Sequence, residues 1–122
     1  MDSMCPTQAV NIFSMWLATQ HGFYSIVQKD VDVYFVRARV RKDLVNLVVL
    51  LNIDNELLEW EGADYRYRII VNRQVFLEIM IKLATTLDYP NFKGRIHERT
   101  EQSHKLPAYH RIWATMAELQ ER

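Results

Sequence analysis

Apolar and polar residues alternate most cleanly over Val33–Val40. Tyr34, Val36, Ala38 and Val40 fall on one side, and Phe35, Arg37 and Arg39, continued by Arg41, on the other. A two-residue period of this kind predicts a strand in a half-buried antiparallel sheet. Phe23–Lys29 carries the same period, with Phe23, Ser25 and Val27 opposed to Tyr24, Ile26 and Gln28. Asp30-Val31-Asp32 between them has turn chemistry. Upstream, Trp16–Thr19 is apolar and extended, and Gln20-His21-Gly22 interrupts it. The stretch from Trp16 to Arg41 therefore reads as two long strands, with Gly22 available for positive φ at a turn or bulge.

Downstream the period changes. Leu44, Leu47, Val48 and Leu51 recur at helical spacing, and the polar start at Lys42-Asp43 favours helix over strand despite the added valines. Leu57–Glu61 and Tyr65–Val71 predict a second hairpin around Gly62. In it Tyr65, Tyr67, Ile69 and Val71 share one face and Arg66, Arg68 and Ile70 the other. Asn72 is a suitable N-cap for a helix from Arg73 to about Leu87, apolar on more than one side. Residues 88–92, before and around Pro90, end it. A polar segment follows, and Leu106-Pro107 opens a last helix whose stripe is Tyr109, Ile112, Trp113, Met116 and Leu119. Trp113 and Phe76 are expected in the core. The order ββαββαα predicts an α+β fold: a single antiparallel sheet of four or five strands with helices packed on one face. Residues 1–14 read as an N-terminal extension and 15–122 as a single α+β domain.

Composition narrows the function classes. Lysine plus arginine and aspartate plus glutamate number 15 each, so no net field draws in nucleic acid or an anionic membrane. The apolar runs at Leu44–Leu51 and Val75–Leu83 are too short to span a bilayer. Cys5 is the single cysteine, which excludes an intrachain disulfide and makes a cytoplasmic setting the expectation. A protein partner or homo-oligomer is therefore expected ahead of nucleic acid, with no membrane and no cofactor.

The sharpest candidate site is the arginine cluster. Arg37, Arg39 and Arg41 project from one strand, and Arg66 and Arg68 from another. On one sheet they would share its open face with Tyr24 and Phe35, a mixture able to bind phosphates and stack rings. The plainer reading is a solvated face neutralised by Glu59, Glu61, Asp30 and Asp32. Among the histidines, His97, His104 and His110 fit no zinc spacing, and no metal site is expected. Ser25 near His21 forms no recognisable nucleophile motif, and there is no phosphate-binding glycine loop. The expectation is a small non-enzymatic binding or adaptor protein. The alternative is a small enzyme with a site in the 93–110 segment, around His97, His104, His110 and Tyr109. The Asp88–Lys93 turn, with its two aromatics, is expected to plug the end of a core.

Several segments taken together carry a resemblance. Trp16 followed by HGFYS, then VRARVR with Asp43-Leu44 after it, ADYRYR, LDYPNFK and a terminal YHRIW are similar to a family of small bacterial proteins to which no activity is attached. The likeness runs from about Met15 to the last helix. It implies a bacterial origin and one compact domain, and it brings no substrate or cofactor. The first fourteen residues fall outside it.

Overall fold

A computed structural model describes residues 14–87 and 100–120. Two compact units divide the chain, residues 1–87 and 88–122. The first holds a five-stranded antiparallel sheet: β1 Ser14–Ala18, β2 Phe23–Asp30, β3 Val33–Ala38, β4 Leu58–Glu59 and β5 Tyr67–Val71. Their spatial order is β1-β2-β3-β5-β4. Helix α1, Arg41–Leu51, follows β3, and α2, Arg73–Thr85, follows β5. The α+β architecture with one antiparallel sheet is as the patterning predicts.

The two long strands become three. Gln20-His21-Gly22 is a full reversal, and β1 folds back on β2 with Trp16 opposite Ser25 and Leu17 opposite Tyr24. Thr19 closes the turn, its N–H and hydroxyl both donating to the Gly22 carbonyl. Gly22 does not take positive φ; among the described glycines only Gly62 does, at 85°. Glycine is required at position 22 by crowding instead, because a β-carbon there would lie 2.6 Å from Asp43.

Alternation then sorts the faces. Tyr24, Ile26, Tyr34, Val36, Ala38, Ile69 and Val71 point inward and meet Leu44 and Leu47 of α1 and Ile79 of α2 in one buried cluster. Phe76 belongs to this layer, its ring stacked on Tyr34 at 4.3 Å. Helix α1 forms despite its valines because Leu44 and Leu47 bury fully there. Its C-cap, Asn52, adopts the left-handed conformation that asparagine tolerates. Helix α2 starts as expected, with the Asn72 side chain accepting from the Val75 N–H at 2.9 Å.

The second unit, as described, has a one-turn helix at Thr100–Ser103 and helix α3 at Leu106–Ala117, which carries Pro107 in its first turn. Trp113 is 69% exposed, so the expectation that it is a core residue fails. Its ring stacks on His110 at 5.9 Å instead. Residues 1–13, the Asp88–Lys93 turn and His97 lie outside the described residues.

Candidate cation-aromatic face

Among the described residues of the first unit no helix packs on the other face of the sheet, and the side chains there follow from register. Ser25 faces Arg37 across β2–β3, and Arg37 faces Arg68 across β3–β5. Arg68 faces Leu58 on β4, and Ser25 faces Trp16 on β1. One row therefore crosses the sheet as Trp16, Ser25, Arg37, Arg68, Leu58. The neighbouring row is Val27, Phe35, Ile70.

Four of the seven expected site residues converge here. Arg37 donates from Nη2 to the Ser25 hydroxyl at 2.7 Å, and its guanidinium carbon lies 4.6 Å from the centre of the Tyr65 ring. Phe35 receives Lys29 over its face at 5.4 Å. Arg68 is 5% exposed and lies under Trp60, guanidinium carbon to ring centre 4.0 Å, with one Nη2 bond to the Tyr65 carbonyl. Trp60 in turn meets Phe35 edge-on at 5.9 Å. Arg39 lies just past the end of β3, its guanidinium carbon 4.1 Å from the Tyr65 ring centre.

The remaining three part company. Tyr24 points the opposite way, fully buried, its hydroxyl donating to the Asp43 carbonyl. It sits at an inward position of β2, and the residues of that strand on the cation-aromatic face are Phe23, Ser25 and Val27, the last two themselves buried. Arg41 is not on a strand at all. β3 ends at Ala38, and Arg41 is the first residue of α1. Arg66 is engaged as the plainer reading expects, its Nη2 2.6 Å from Glu59 and 3.6 Å from Glu61.

The expected neutralisation stops at Arg66. Asp30 accepts from the Val31 N–H, and Asp32 from the Arg73 N–H at the start of α2, so both turn aspartates serve the backbone. Among the described residues no carboxylate lies within ion-pair distance of Lys29, Arg37, Arg39 or Arg68. The electrostatic consequence is visible in three of them. Burial, then the charges of Arg37 and Arg68, push the Lys29 pKa down. Burial and Arg37 lower that of Arg68. Burial also lowers that of Arg37, with Tyr65 and Asp64 acting in the opposite sense and Arg39 adding to the fall. Rings hold these cations in place of acids, a contact worth ~0.5–1 kcal/mol when exposed and about 2 when desolvated.

Sequence reasoning missed Lys29, Tyr65, Trp60 and Trp16. Lys29 was readable from alternation, two residues past Val27, and Trp16 is the register partner of Ser25 in the arginine row. Strand period puts Tyr65 on the inward face, but β5 begins only at Tyr67, and Tyr65 instead lies against Arg37 and Arg39, its carbonyl accepting from Arg68.

The histidines do not assemble a second site among the described residues. His21 is buried at the β1–β2 turn, within 3.2 Å of the Thr86 hydroxyl, and its carbonyl accepts from Asn46. His104 and His110 are exposed. No group of three His, Cys, Asp or Glu side chains is placed to hold a metal ion among the described residues. No helix among them is long and apolar enough to cross a membrane. Compared with known proteins, the chain matches no protein family, no curated protein and no solved structure.

Proposed function

We propose that this chain is a small non-enzymatic, cytoplasmic binding protein and that the cation-aromatic face of its sheet receives an anionic partner. The observation that carries this reading is the gathering of Lys29, Arg37, Arg39 and Arg68 with no carboxylate in ion-pair reach among the described residues. Like charges drawn together raise the free energy of the unbound protein, and an anion lowers it. The balanced net charge of the whole chain favours a protein partner over nucleic acid. The local balance on this face is what an approaching partner meets within a Debye length, ~8–10 Å at ordinary salt.

The reading is tested by titrating the full-length protein with polyglutamate and with oligothymidylate at low salt, following the side-chain Nε–H signals of Arg37, Arg39 and Arg68 by NMR. At least one polyanion shifts these signals, while Arg66, already held by Glu59, moves less. If neither polyanion shifts any of the three, the face is a solvated surface and the reading falls.

A further inference from the structure

Resting on that reading, we propose that the anionic partner is a single-stranded nucleic acid lying across the strands. Its phosphates would meet Lys29, Arg37 and Arg39, and its bases would stack on Trp16 and Trp60. Trp16 is 69% exposed and Trp60 44% exposed. They stand on the same face at opposite edges of the sheet, Trp16 on β1 and Trp60 just after β4. The five strands place these edges ~19 Å apart, four gaps of about 4.8 Å each. Between them lie the cations. A chain that repeats a charge and a flat ring at every unit fits this alternation, whereas an acidic peptide supplies the charges and leaves the tryptophans unexplained. A second copy of this chain fits poorly, because a two-fold contact through this face sets the same cations against one another.

Arg68 adds an independent observation. Its Nε is buried and has no acceptor, and the Trp60 ring lies over the guanidinium. Buried donors are normally satisfied. A Trp60 ring that tilts to stack on a base uncovers this donor for a phosphate oxygen. Arg37 is already oriented through Ser25, and Arg39 lies over Tyr65, so two guanidinium groups are held in place before any ligand arrives.

The test uses the full-length protein in a Trp113→Phe background, so that Trp16 and Trp60 report by fluorescence. Titration with a twelve-nucleotide oligothymidylate quenches this emission, and affinity falls with salt. Changing Arg37 and Arg39 together to Gln reduces the slope of log affinity against log salt by ~1.4, about 0.7 for each lost phosphate contact. The Arg37→Lys, Arg39→Lys pair keeps that slope and serves as the variant whose folding is least disturbed. Trp16→Leu, at an exposed position, weakens binding by roughly 5- to 100-fold, as the loss of one stacked base does. Should polyglutamate bind as tightly, with Trp16→Leu without effect on either ligand, the partner is an acidic protein segment. The nucleic-acid inference is then overturned while the anion-binding reading stands. Failure of both polyanions to bind overturns the two together.

Discussion

The carboxyl-bearing side chain of Asp43 occupies the space in which a β-carbon of residue 22 would stand. That β-carbon would be 2.6 Å from both Cβ and Cγ of Asp43 and 2.9 Å from the Tyr24 hydroxyl oxygen. Neither neighbour can move cheaply. The Asp43 carboxylate accepts from the Phe23 N–H at 3.1 Å, and its carbonyl accepts from Tyr24 at 2.8 Å. Gly22→Ala is therefore expected to destabilise the protein by ~1–3 kcal/mol, the usual cost of overpacking. Chemical denaturation measures it, and an unchanged midpoint would show that the turn relaxes freely.

The core and the last helix separate in the same kind of experiment. Ile69 is fully buried between the sheet and the helices, so Ile69→Ala should cost ~2–5 kcal/mol. Trp113 is the larger side chain, yet it is mostly exposed, and Trp113→Ala should fall within about 0.5 kcal/mol of wild type. A loss at Trp113 equal to that at Ile69 would mean that the ring is covered in solution.

Arg66 and Arg39 make a paired contrast. Arg66 is exposed and bound to Glu59 and Glu61, so Arg66→Gln should leave the melting temperature nearly unchanged and oligothymidylate affinity within about twofold, as an exposed pair contributes little. Arg39→Gln should also leave the fold intact, its side chain being exposed and its contact a single ring, that of Tyr65, but should weaken polyanion binding and its salt dependence. Equal binding losses at the two positions would place the ligand over the β4–β5 turn rather than across the sheet.

The contrast also shows where the site was legible. Period-two alternation located Phe35, Arg37, Arg39 and Arg68 on one face, because a strand buried on one side admits a single register. It failed at the strand ends. Arg41 follows the alternation on paper, but α1 has already begun there. Tyr65 fits the β5 pattern, but it lies before the first ladder pair with β3, at Tyr67. Tyr24 failed for another reason: two aromatics in succession, Phe23 and Tyr24, face opposite ways, and composition does not say which is inside. The pairing of acids with arginines was the least readable feature. Asp30 and Asp32 lie close to the arginines in sequence, yet backbone N–H groups at the β2–β3 turn and the start of α2 take their carboxylates.

Lys29 gives the sharpest test of the uncompensated charge, because its pKa is lowered first by burial and then by Arg37 and Arg68. A base held below its ordinary value gives up its proton more readily folded than unfolded. Below the folded value it is charged in both states and the folded protein bears the full penalty. Between the folded value and the ordinary lysine value the unfolded chain carries the extra proton, so stability rises with pH across that window. Lys29→Met removes the charge while keeping a flexible apolar stem over Phe35. The variant should melt above wild type at pH 7. Its advantage should shrink as pH climbs toward the ordinary lysine value. Added salt should also narrow the gap, but only in part, since screening relieves the repulsion from Arg37 and Arg68 and leaves the burial cost. Thermal melts of the two proteins at several pH values and two salt concentrations make the comparison. A variant that melts below wild type at pH 7 would show that Lys29 is stabilised where it lies, with Arg37 and Arg68 exerting no net repulsion on it.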